Sequence, residues 1–183
     1  MNNSIQYILL GFLLAAFEEF ITQGVLKNNL VSWFIPTIIA FVPFLMVTRL
    51  IGKTLENRFS EWNSNIIFYL TAGFLGLMIE WFLIGLVPWG SGHPILMFML
   101  QLGIFSFWGS VAFAPRILMD SREKIIHFKQ GFKRILIFGY TLIYFIALTT
   151  TPIEKRFGYT ISAVILFFLA LNIVYYKYLK KIV

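Results

Sequence analysis

Apolar runs of membrane-spanning length recur six times along this chain, and they restrict it to a bundle of crossing helices. The runs fall at about residues 5–26, 33–48, 66–87, 94–114, 135–149 and 161–176. About 20 apolar residues suffice for one crossing. Only 13% of the 183 residues are charged and 59% are hydrophobic, whereas soluble domains carry about a quarter charged residues. The two-residue alternation of a membrane barrel is absent. The expected fold class is therefore all-α: a polytopic membrane helix bundle with six transmembrane helices, forming one integral membrane domain over residues 1–183.

Prolines and charges suggest the punctuation. Span two carries Pro36 and Pro43, while Pro94 and Pro115 bound span four; both of the latter read as helix limits. The longest connection is expected from Arg116 to Arg134. Within it, Arg122–Arg134 alternates basic residues with Ile125, Ile126, Phe128 and Phe132, like a short amphipathic segment on a membrane surface. The amino terminus (Met1-Asn2-Asn3-Ser4) lacks the features of a cleaved leader, so span one is expected to act as an uncleaved signal anchor.

Charge sets the expected orientation. Twelve of the 15 lysines and arginines fall in the second loop, the fourth loop and the tail, against Lys27, Lys155 and Arg156 on the other side. Lysine and arginine collect on the cytoplasmic side, so both termini are expected to be cytoplasmic in a cell-membrane protein. Trp33, Trp89 and Tyr159 mark one interface and Trp62, Tyr175 and Tyr178 the other. The net charge of +7 is thereby explained by topology, and because the basic residues are spread over short loops no nucleic-acid partner is expected. No cysteine is present, which excludes disulfides and thiolate chemistry.

Two acidic residues interrupt this apolar pattern in matching places. Span one reads Gly11-x-x-x-Ala15-x-x-x-Glu19, and span three reads Ala72-x-x-x-Gly76-x-x-x-Glu80. An aromatic residue follows each glutamate (Phe20, Trp81), and a glycine stands five positions on (Gly24, Gly85). The offset suggests a parallel repeat, although spans two and four do not match. Both glutamates are expected about 10 Å beneath the outer boundary, counting 1.5 Å per residue. Gln101 falls at a similar depth. Small residues four apart let helices approach closely, so spans one and three are expected to pack on their small residues with the glutamates opening above.

A carboxylate at hydrocarbon depth is costly and marks a functional site. Helix-to-helix hydrogen bonding is the structural alternative, but serine or asparagine would serve it at lower cost. The candidate catalytic residues are Glu80, Glu19 and Glu18. Three carboxylates in a low-dielectric region cannot all stay ionised unless cations compensate, and no lysine or arginine is expected at that depth. Gln23, Gln101, Trp81 and His93 are candidate substrate-binding residues. His93 closes the uncharged loop Pro88-Trp89-Gly90-Ser91-Gly92, which reads as a lid or an ordinary short connection. Trp108 lines a pocket or packs in the core, Arg116 at the inner mouth of span four anchors the topology or binds lipid phosphate, and Asn172 is expected to hydrogen-bond between helices. Neither a metal site nor a cofactor is expected.

The run Glu18-Glu19-Phe20-Ile21-Thr22-Gln23 resembles the first motif of the CAAX-protease and bacteriocin-processing family, with Gln23 in place of its arginine. The later histidine motifs of that family are missing, so the assignment is rejected. Ile79-Glu80-Trp81 through Pro88-Trp89-Gly90 resembles a segment of small membrane enzymes that hydrate or cyclise isoprenoids. That resemblance implies an intramembrane acid protonating an alkene, with aromatic rings stabilising the cation. The leading expectation is an enzyme acting on a lipophilic, isoprenoid-like substrate by acid/base chemistry. The alternatives are a transporter or cation-binding component, and a non-catalytic membrane subunit or immunity-type protein. Expected partners are membrane lipids and a lipophilic or cationic small molecule; a homo-oligomer or a partner membrane protein belongs to the subunit reading.

Overall fold

A computed structural model describes residues 3–27, 29, 33–85, 87 and 93–182. Of the glycine-rich loop, Pro88 to Gly92 lie outside the described residues. Among the described residues are six helical segments long and apolar enough to cross a membrane, which point to a membrane location. Helix α1 (Asn3–Glu19) continues as a π-helix over Phe20–Val25. It is followed by α2 (Phe34–Glu56) and by α3 (Glu61–Ile79), which also continues as a π-helix, over Glu80–Ile84. Then come α4 (Pro94–Met119), a 3₁₀ turn at Glu123–Ile125, α5 (Ile126–Thr149) and α6 (Ile153–Ile182).

All six helices exist, but most outrun their apolar cores at the basic end. Helix α2 reaches Glu56 rather than residue 48, and α5 begins at Ile126 rather than residue 135. Apolar runs report the hydrocarbon, whereas arginine and lysine are good helix formers whose stems lie along apolar surface. The expected long fourth loop therefore shrinks, and its amphipathic segment is largely the first turns of α5. Pro115 is also corrected, since it lies inside α4. Proline lacks the N–H that would bond the carbonyl four residues back, here Val111. The Val111 oxygen lies 2.9 Å from where a Gly11 Cβ would stand, so α1 closes over the freed carbonyl where it has no side chain. One turn earlier the Tyr7 hydroxyl donates to the next carbonyl, Ala112, at 2.8 Å.

Helix α4 is the axis of the bundle: 56% of its span is buried, against 22–33% for the other five. Around it stand α1, α2, α3, α6 and α5, in that order, and α5 comes closest to α1 at the latter's π-helical end. The small-residue stripes work differently from expectation. Gly11 receives Leu45 of α2 as well as Val111, Gly73 receives Phe105, and Gly76 receives the stem of Trp108. The stripes of α1 and α3 thus do not pack against each other: Gly11 faces α2 and α4, and Gly76 faces α4. Gly103 of α4 admits Ile165 of α6.

Polar ties cross the bundle inside. Asn172 of α6 takes a short hydrogen bond from the Tyr69 hydroxyl and gives one to Ser106 at 3.0 Å, as an interhelical role requires. At the basic end, Asp120 accepts from Arg122 Nε at 3.0 Å and from the Tyr178 hydroxyl at 2.9 Å. Outward faces are apolar, with Phe82, Leu83, Ile137 and Phe138 well exposed.

Two glycines separate close packing from helix propensity. A Cβ on Gly76 would lie 2.0 Å from Trp108 Cγ, whereas one on Gly131 meets nothing within 4 Å. Gly76→Ala should therefore cost about 1–3 kcal/mol through overpacking, and Gly131→Ala should be neutral or gain up to about 1 kcal/mol from helix propensity. Thermal unfolding of the detergent-solubilised variants checks the contrast.

Candidate functional site

Both glutamate-bearing helices change winding at their acidic residues. The α-helical part of α1 ends at Glu19, and that of α3 ends at Ile79, one residue before Glu80. Beyond these points backbone N–H groups bond five residues back: Leu26 to the Ile21 carbonyl at 3.0 Å, Asn29 to Gly24 at 2.9 Å, and Gly85 to Glu80. A π segment turns the downstream side chains out of α register and is frequent at functional sites. The wider turn in α1 is supported by Thr22, whose hydroxyl donates to the Glu18 carbonyl at 3.1 Å. The second stops at Gly85, whose φ of +84° suits glycine. Here the likeness between the spans ends, because Gly24 lies inside its π-helix against Phe20 and Trp33.

Glu80 is buried and accepts a 3.0 Å hydrogen bond from the indole N–H of Trp108. Gly76 and Glu80 are four apart on one helix face, so one side chain, Trp108, fills the glycine notch and also reaches the carboxylate. Trp108 is itself fully buried, stacked on Phe41 with ring centroids 4.4 Å apart and edge-on to Phe44 at 4.7 Å. It is thereby a core residue, and the sequence held no sign that it partners Glu80.

Glu18 is buried and Glu19 half-buried. Each lies within electrostatic range of Glu80, so the three carboxylates share one region. Gln23, one turn beyond Glu19, is hydrogen-bonded to it. Lys27, exposed beyond the π-helical end of α1, lies within electrostatic range of Glu19. Gln101 is buried and accepts a 2.7 Å bond from the Trp81 indole. That pair ties the π-helical end of α3 to α4. His93 stands exposed, immediately ahead of α4. Among the described residues, no group of three or more His, Cys, Asp or Glu side chains is arranged to hold a metal ion.

A groove that sequence reading missed runs along the turns of α1 that flank Glu18, and none of the three glutamates lines it. Between α1 and α5 a space of about 670 Å³ is lined by Leu14, Phe17, Ile21, Leu136, Tyr140 and Tyr144, among others. Its rim residues Phe17 and Ile137 are exposed, so it is reachable from the side of the bundle. Leu14 and Ile21 flank Glu18 at helical spacings of four and three. Tyr140, on the opposite wall, lies within electrostatic range of Glu18 and donates to the Leu14 carbonyl at 2.9 Å. The arrangement is an apolar slot of ligand size whose wall residues lie one helical turn from buried Glu18. No protein-family model, curated protein or solved structure matches the chain, so any reading of the site rests on its geometry.

The Trp108–Glu80 bond should be measurable as a coupling. Trp108→Phe and Glu80→Leu each lose one partner, and a double-mutant cycle should return about 1–2 kcal/mol of interaction energy. Thermal or chemical unfolding of the four proteins gives the value; additivity would mean that the bond contributes nothing.

Proposed function

We propose that the chain is a small membrane enzyme acting on a lipophilic substrate, isoprenoid-like in character, that enters sideways through the α1–α5 groove. The observation that carries this reading is the apolar slot whose wall residues Leu14 and Ile21 flank buried Glu18 along the helix, with Glu19 and Glu80 within electrostatic range of Glu18. Glu80 is assigned as the acid/base group, held by the Trp108 N–H. Glu19 and Glu18 are assigned as its partners, storing or receiving the proton between steps. A buried carboxyl group of this kind delivers a proton where water does not compete. Tyr140, Tyr144 and Phe20 present ring surface to the slot, which suits a substrate that develops positive charge.

The transporter reading needs a polar route through the bundle. Trp108, Phe41, Phe68 and Phe113 are all buried in the core, and this aromatic layer argues against such a route. The enzyme needs one opening only, and the groove supplies it.

The test compares lipid extracts from cells expressing the wild type, Glu80→Gln and an empty vector. The wild type should generate a lipophilic product that is missing with Glu80→Gln, whose extract should match the vector. A fully active Glu80→Gln, or a wild-type extract identical to the vector's, would sink the enzyme reading.

We further propose that the chain lies in the cell membrane with both termini cytoplasmic, placing the carboxylates in the outer half. The absence of native cysteine makes this direct to examine. A single cysteine replacing Ser121 should react with a membrane-impermeant maleimide only after the cells are opened, and one replacing Lys155 should react on intact cells.

A further inference from the structure

The basic end of the bundle contains a second cavity, of about 300 Å³, lined by Tyr7, Arg49, Glu56, Glu61, Arg116 and Arg122 among others. Glu61 and Glu80 are 19 residues apart on one helical segment, so the cavity lies roughly 28 Å from the carboxylate site at 1.5 Å per residue. Its three arginines are unequally served. Arg122 takes two carboxylates, Asp120 at 2.5 Å and Glu61 at 2.7 Å. Arg116 has one, Glu56, through Nη2 at 2.5 Å, while its buried Nη1 has no hydrogen-bond partner. Arg49 Nε is likewise buried without a partner, and among the described residues no carboxylate pairs with Arg49. Arg49 and Arg116 lie within electrostatic range of each other. Glu56, half-exposed, thus pairs with Arg116 alone, and Arg49 has no carboxylate of its own.

Both forks are held in place. Arg116 lies 4.5 Å over the ring of Phe68, and Arg49 lies 5.4 Å over that of Tyr7. The Tyr7 hydroxyl is already engaged with Thr48 and the Ala112 carbonyl. A Cβ on Gly52 would stand 3.2 Å from Arg116 Nη1, so glycine keeps that N–H clear of side-chain bulk. Arginine does not release its proton, and each of these two guanidinium groups keeps one buried N–H without a partner. Fixed guanidinium forks on two helices match an anion with several oxygens, which each fork can grip separately.

We propose that this cavity binds a phosphate-bearing anion between Arg49 and Arg116, supplied by a lipid headgroup or by free phosphate. The site is independent of the carboxylate chemistry at the other end.

Two arms on the purified full-length protein distinguish the sources. In the first, native mass spectrometry follows retention of phosphatidylglycerol against phosphatidylcholine. In the second, thermal unfolding is followed in inorganic phosphate against chloride at matched ionic strength. Wild type should retain phosphatidylglycerol in a 1:1 complex if the source is a headgroup, or gain thermal stability in phosphate if it is the free ion. Arg49→Gln should weaken the responding arm at least about tenfold, the loss of one charge-assisted contact of about 1.4 kcal/mol or more. Arg49→Lys keeps the charge but loses the fork; it should weaken binding less, and it decides the matter if the glutamine variant does not fold. No response in either arm, or a response unchanged in both Arg49 variants, overturns the proposal.

Discussion

Trp108 sits where α2, α3 and α4 meet, its stem in the notch of Gly76, its ring stacked on Phe41 and its N–H on Glu80. The chain otherwise has little to drive its helices together, since lipid tails are as apolar as leucine. Close backbone approach and buried polar contacts have to do that work. Both converge on this side chain. A smaller residue would leave the notch empty, and an aromatic without a donor would leave a buried carboxylate with one partner fewer. The glutamate is thus fastened by the same contact that packs the core, and the candidate chemistry inherits the rigidity of the bundle axis.

The two π-helical ends give the glutamate spans their common character. Each follows the last α-helical turn before the end of its helix, next to an acidic residue. The extra residue per turn changes which side chains face α4 and which face α5. In α1 this brings Phe20 and Ile21 to the groove, while Gln23 stays hydrogen-bonded to Glu19. In α3 it accompanies a bond from Trp81 to Gln101.

The number and order of the helices were legible from the apolar runs, because hydrocarbon thickness imposes a length on each. The helix ends were not, because Arg49, Lys53, Lys129 and Lys133 continue helices that the apolar signal treats as finished. The acidic cluster was legible from cost alone: Glu18, Glu19 and Glu80 stand in apolar surroundings and are brought into one region. Their surroundings were not legible. Periodicity shows that Gly76 and Glu80 share a face, but not that Trp108, 28 positions later, occupies it. Small-residue stripes announce close approach without naming the visitor, and here Gly11 meets α2 and α4 while Gly76 meets α4. The groove is formed by helices far apart in sequence, so no local pattern encodes it. His93, singled out for its chemistry, stands exposed at the start of α4.

The ring around α4 has a consequence for how the chain is made. A nascent chain emerges amino-terminus first, so α1, α2 and α3 precede the helix they surround. Helix α4 then has three walls to settle against, and α6 and α5 enclose its remaining side. The seam between α5 and α1 joins the first helix made to the fifth, and α6 follows both. That seam is also the groove beside Glu18. The groove therefore lies where the first helix made meets one made later, and α5 comes closest to α1 at the π-helical end.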